Sequence, residues 1–68
     1  MNFNVVIPAR YESTRLPGKP LIEIAGVPMV IRTAIQASKS GAQQVIIATD
    51  DERIVTTAEN YGFEALMT

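Results

Sequence analysis

Neither cysteine nor histidine occurs in the 68 residues. Without cysteine there are no disulfides and no thiolate metal sites. With histidine missing as well, a zinc centre and a histidine-based catalytic triad are excluded within this stretch. The lack of cysteine also agrees with a cytoplasmic setting. An excess of one charge is missing too. Six Lys and Arg face seven Asp and Glu, a formal net charge of −1. No global basic field therefore attracts nucleic acid or an anionic membrane. No apolar run approaches the ~18 residues of a membrane span, and residues 1–9 lack the cationic start and apolar core of a signal peptide. The expectation is a soluble, intracellular unit. A chain this short makes at most one small domain or part of one, and buries only ~60% of its unfolded surface.

What positive charge there is lies together. Arg10, Arg15 and Lys19 fall within ten positions, with Glu12 alone opposing them. They sit in the stretch Ile7-Pro8-Ala9-Arg10-Tyr11-Glu12-Ser13-Thr14-Arg15-Leu16-Pro17-Gly18-Lys19-Pro20, which follows the apolar run Val5-Val6-Ile7. Three prolines restrict its backbone, and Gly18 permits a tight bend. The residues before Pro17 and Pro20 are steered away from helix, so the stretch reads as a shaped loop.

Taken in order, Phe3 to Ile7 reads as a strand that stops at Pro8 and is buried on both faces. Leu21-Ile22-Glu23-Ile24 is a short apolar piece, either a brief strand or an extended brace, ended by Ala25-Gly26. Pro28 suits the first position of a helix. Val30, Ile31, Ala34, Ile35 and Ser38 then form its apolar stripe, opposite Arg32, Gln36 and Lys39. Gly41 ends it. Val45-Ile46-Ile47-Ala48 has strand length. Thr49 or Asp50 then caps a second helix, with Thr49 and Glu52 spaced as a capping box. Ile54, Val55, Ala58 and Tyr61 give that helix its buried stripe, and Phe63 to Met67 reads as a third strand. Met29 and Met67 are expected in the core.

This order predicts an α/β unit with a parallel sheet, right-handed crossovers and a ligand edge at the carboxyl ends of the strands. Three parallel strands leave two open edges, so residues 1–68 look like the first part of a domain.

The loop suits a multiply charged phosphate. No G-x-G-x-x-G is present, and Gly18-Lys19 fails the P-loop pattern because Ser13 and Pro20 occupy its glycine and hydroxyl positions. Binding must then rest on side-chain charge. Arginine forks take phosphate oxygens in pairs, and a lysine acts as a point charge. Each close contact is worth about 1–4 kcal/mol between water and a protein surface. Ser13 and Thr14 add hydroxyl donors. The plainer reading is that Arg10 and Arg15 are solvated or pair with Glu12 and Glu23. Asp50 and Asp51 likewise have two readings. They could help hold Mg²⁺, or they are helix N-terminal residues favoured by capping and the dipole, and the second weighs more. Tyr11 either stacks on a ligand or is an ordinary loop aromatic.

The loop sequence through Leu21, with Gly26-Val27-Pro28-Met29-Val30, Val45-Ile46-Ile47-Ala48-Thr49-Asp50-Asp51 and Leu66-Met67-Thr68, resembles the sugar cytidylyltransferases. It is most similar to their 3-deoxy-manno-octulosonate (KDO) branch, the CMP-KDO synthetases. Acylneuraminate cytidylyltransferases share the Ile-Pro-Ala-Arg start but usually continue with more lysine. The resemblance implies a Rossmann-like, three-layer nucleotidyltransferase fold with a mostly parallel sheet, of which the first β-loop-α-β-α-β portion is present. It implies a cytoplasmic, Mg²⁺-dependent enzyme that couples CTP to KDO for lipopolysaccharide assembly and releases pyrophosphate. Carried over by position, Ala9, Arg10, Ser13, Arg15 and Lys19 bind CTP, with Arg15 and Lys19 in the catalytic role. The metal ligands, sugar pocket and homodimer surface are expected beyond residue 68, so the isolated chain should lack catalytic competence. Related readings are an 8-amino KDO or acylneuraminate nucleotidyltransferase. Readings of another class are a non-catalytic nucleotide-binding fragment and an interaction domain whose basic loop meets an acidic partner.

Overall fold

The computed structural model describes residues 2–12 and 17–68. Strand β1, Asn4–Ala9, is followed by a single 3-10 turn at Lys19–Leu21 and a short hairpin of β2, Glu23–Ile24, and β3, Val27–Pro28. Helix α1 spans Met29–Ser38, β4 Gln44–Thr49, α2 Glu52–Asn60 and β5 Glu64–Met67. The main sheet has the order β1-β4-β5, and both pairings are parallel.

Alternation along the paired strands sorts the sheet into two faces. Val5, Ile7 and Ala9 stand in register with Val45, Ile47 and Thr49, and Ala65 pairs with Ile47. These residues form one face. It carries the core: Ile7, Ala9 and Ile47 cluster with Val30, Ile31 and Ala34 of α1 and with Ile54 and Ala58 of α2. Both helices therefore cover the same face, as two successive right-handed crossovers in one direction require. Of the three layers expected, the described residues supply the sheet and one helical layer. The second face presents Val6 and Leu66, 59% and 54% exposed.

Ile31, Ile47 and Ile54 are fully buried. Each such side chain contributes about 1.5–3 kcal/mol by leaving water. Thr49 is buried among them, and its Oγ1 accepts a hydrogen bond from the Asp51 N–H at 3.2 Å. No buried side-chain polar atom among the described residues lacks a partner.

Several boundaries differ from expectation. β1 runs through Pro8 to Ala9, because β1 is an edge of this sheet and one side of its backbone has no ladder to interrupt. The Leu21–Ile24 piece divides between the 3-10 turn and β2. Its hairpin turns at Ala25 and Gly26, whose φ values of 55° and 81° match the positive dihedrals a two-residue hairpin needs. Pro28 is the residue before α1 rather than its first, with φ −57° and an extended ψ of 144°. Ile35 is 37% exposed, whereas Ala37 packs on the core, so the stripe is rotated from the one expected. Tyr61 and Met67 are exposed at 46% and 54%, and neither enters the core.

The cap of α2 is Asp51 rather than Thr49 or Asp50: its Oδ1 accepts from the Arg53 N–H at 2.8 Å. The same carboxylate receives Arg53 Nε at 3.0 Å and Nη2 at 2.7 Å. Those side-chain hydrogen bonds, aided by the backbone N–H and the positive charge and opposed by partial burial, hold the Asp51 carboxyl below its ordinary range. Asp51→Asn keeps a competent cap and loses the charge. A carboxyl with a lowered folded value stabilises above its unfolded value, and that contribution is lost as pH falls through the lowered one. The wild-type Tm should therefore exceed that of Asp51→Asn near neutrality. The gap should close in acid, below the usual carboxylate range, as thermal melts against pH will show. A gap constant with pH would contradict the ion pair.

Gly18 opens the 3-10 turn at φ 77°, and a Cβ built there would stand 3.1 Å from Cε2 and the hydroxyl of Tyr11. Gly26 has a similar φ of 81° but nothing within 4 Å. Gly26→Ala should cost only the left-handed backbone strain, about 1–3 kcal/mol. Gly18→Ala should cost that and the displacement of the ring. Urea unfolding of the two variants checks the order.

Candidate anion-binding site

Because Ala9 pairs with Thr49, β1 and β4 end side by side and release their following residues at one edge. Arg10 and Tyr11 leave β1 there, and Asp50 leaves β4. Asp50 ties the two ends: its Oδ1 accepts the Tyr11 N–H at 3.2 Å, and its Oδ2 lies 3.5 Å from Arg10 Nε. Among the described residues, the carboxylate that Arg10 pairs with is that of Asp50 rather than that of Glu12 or Glu23. The loop closes where Gly18 N–H donates to Tyr11 O at 2.8 Å. Leu21 N–H to Gly18 O at 2.9 Å and Ile22 N–H to Lys19 O at 3.1 Å then form the 3-10 turn.

Between the end of β1, this turn and the start of α1 lies a cleft of about 240 Å³. Arg10 and Lys19 supply its charge. Ile7, Pro8, Ala9, Pro20, Met29 and Val30 make apolar walls, and Thr33 adds a hydroxyl. Met29 and Val30 are the first residues of α1, so the positive end of its dipole adjoins the cleft. Ala9, Arg10 and Lys19, three of the expected nucleotide-binding residues, therefore line one cavity. Ser13 and Arg15, with Thr14, lie outside the described residues. Side chains of Arg10 and Lys19 are exposed, which leaves both cations in a medium where long-range attraction is screened by salt.

Beside the cleft stands a second charged group that the sequence did not reveal. Arg53 is joined to Asp51, its Nη1 donates to the Tyr11 hydroxyl at 3.2 Å, and its Cζ lies 3.8 Å from the centroid of that ring. The bonds to Asp51, and then its negative charge, raise the guanidinium above its already high ordinary value against the opposing effect of desolvation. Tyr11 is partly buried against the core in this arrangement. The only sequence signal for it was an arginine two positions after a capping aspartate. Its aromatic partner is 42 residues away.

No group of three or more carboxylates among the described residues could hold a metal ion. Asp50 and Asp51 are each engaged with an arginine and a backbone N–H. They do not form a cage for Mg²⁺. No helix among the described residues is long and apolar enough to cross a membrane.

Comparison with known proteins places these features. Residues 4–68 match the family model described as Cytidylyltransferase. The 3-deoxy-manno-octulosonate cytidylyltransferase of Photobacterium profundum is 60% identical over 100% of this chain and 27% of its own length. That of Pasteurella multocida is 58% identical over 98% of this chain and 26% of its own. The chain thus spans about a quarter of the length of the curated relatives it matches. A solved structure of CMP:2-keto-3-deoxy-manno-octonic acid synthetase complexed with CTP superposes with a TM-score of 0.88 at 46% identity, covering 97% of this chain and 28% of that one. The fold is accordingly that of the Rossmann-like nucleotidyltransferases. With its matched model reaching from the first strand to the last residue, the chain belongs to the cytidylyltransferase family.

Proposed function

We propose that residues 1–68 are the leading portion of a single nucleotidyltransferase domain and supply the triphosphate-binding loop of a CTP:KDO cytidylyltransferase. The observation that carries this reading is the convergence of Ala9, Arg10 and Lys19 on one cleft at the carboxyl end of β1. The names of the relatives, and the CTP in the solved neighbour, support the choice of nucleotide and sugar acid.

In this reaction the anomeric 2-hydroxyl of KDO attacks the α-phosphorus of CTP. A new bond forms between the sugar oxygen and phosphorus, the bond from phosphorus to the bridging oxygen breaks, and pyrophosphate leaves with the electron pair. Charge builds on the departing group, so fixed cations accelerate the step by preorganised stabilisation. Lys19 and Arg15 are assigned to that group and Arg10 to the triphosphate. The Ala9 backbone is assigned to the nucleotide, and Ser13 to a weaker hydroxyl contact. The acid–base group that takes the hydroxyl proton and the Mg²⁺ ligands are assigned to residues beyond 68. CTP, KDO and a second copy of the full-length protein are the proposed partners, in the cytoplasm and in the service of lipopolysaccharide synthesis.

The charged side chains among the described lining residues, Arg10 and Lys19, are both cations, which fits a second, narrower reading in which these residues bind nucleotide without turnover. Titration with CTP in low salt tests the shared premise. Arg10→Ala and Lys19→Ala should each weaken binding by about tenfold, near 1.4 kcal/mol. Rising salt should shrink both losses. Affinity unchanged in both variants would remove the loop from the account.

A further inference from the structure

Arg53 does not line the cleft, yet it is held on three sides. Asp51 grips it through Nε and Nη2, and Tyr11 meets it through both the hydroxyl and the ring face. A long, exposed side chain gives up considerable rotamer freedom to stand in one such geometry. The Tyr11 ring is fixed in its turn, filling the space beside Gly18 so closely that a Cβ there would lie 3.1 Å from it. A backbone bond also joins these two residues, Gly18 N–H on Tyr11 O, and Tyr11 N–H is held in turn by Asp50 Oδ1.

Chain order gives these contacts a consequence. Arg10 immediately precedes Tyr11, and Lys19 immediately follows Gly18. The two cations of the cleft are thus the outer neighbours of the pair that the ring joins. Movement of the ring off Gly18 would alter the spacing between them.

We propose that Arg53 is a positioning residue for the anion loop: locked to Asp51, its guanidinium seats the Tyr11 ring beside Gly18 and so sets the separation of Arg10 and Lys19. The inference rests on the reading of the cleft as a triphosphate site, but its structural half can be measured apart from it. Tyr61→Phe leaves Tyr11 as the sole tyrosine of the chain and serves as the background, because Tyr61 is exposed. In that background the NMR signals of the labelled Tyr11 ring report the clamp, circular dichroism reports folding, and CTP titration reports the site.

Arg53→Ala should move the ring signals toward those of an unstructured tyrosine and weaken CTP by about tenfold, with the fold retained. Arg53→Lys keeps the positive charge but not the fork that grips Asp51. It should recover little of that loss, which separates positioning from a plain electrostatic pull on the anion. Tyr11→Ala should match Arg53→Ala, and the double variant should lose no more than either. Ring signals unmoved by Arg53→Ala, full rescue by Arg53→Lys, or additive losses would each overturn the proposal. If the background chain takes up no CTP, the triphosphate reading fails, and the ring signals alone then decide whether the clamp exists. Should Arg53→Ala unfold, the same readings on Arg53→Lys decide.

Discussion

Parallel pairing of β1 with β4 in the register that sets Ala9 against Thr49 is the constraint on which the remaining architecture depends. Strands running the same way need a crossover, and its fixed hand lays α1 and then α2 on one face. That face receives Ile7 and Ile47, the strand residues around which the helix isoleucines close. The same register ends both strands together. Arg10 and Asp50, forty positions apart in sequence, therefore emerge within reach of each other. A slip of one residue would turn every strand side chain to the opposite face and undo the core and the site in one step.

Two adjacent aspartates divide the work at this edge. Asp50 precedes the helix and accepts from the Tyr11 backbone, so it joins two loops. Asp51 begins the helix, caps it, and holds an arginine from the same first turn. Placement one residue apart sends neighbouring carboxylates to different partners.

The three strands of the main sheet and both helices were legible because each rests on local signals: β-branched runs, helical spacing, proline and glycine punctuation. Boundaries were less so. Pro8 reads as a stop until the sheet order shows that β1 is an edge, and Thr49 fits a capping box until Asp51 proves to be the residue whose carboxylate accepts the Arg53 N–H. Ile35 and Ala37 exchange roles because Val30, Ile31 and Ala34 set the docking face, and Ala37 falls on it while Ile35 lies off it. Met67 looked like core by composition, yet it stands at the end of the edge strand β5. At the site, the charges of Arg10 and Lys19 were readable from their crowding. The Arg53–Tyr11 contact was not, since it links residues that no local pattern connects.

The two arginines at this edge are held in very different ways, and the difference assigns their work. Arg10 meets Asp50 through one nitrogen at 3.5 Å, with its side chain 70% exposed. Exposed pairs of that kind contribute about 0–1 kcal/mol. In the proposed reading a triphosphate, with several charges and two bonds to offer a guanidinium, takes this side chain from the Asp50 carboxylate. Arg53 already has its two parallel bonds, with Nη2 at 2.7 Å from its carboxylate, and a ring beneath it. An incoming anion offers it nothing that it does not have, and taking it would break the fork to Asp51 and free the Tyr11 ring. On that reading Arg10 exchanges partners when the anion arrives, and Arg53 keeps its own while it does so.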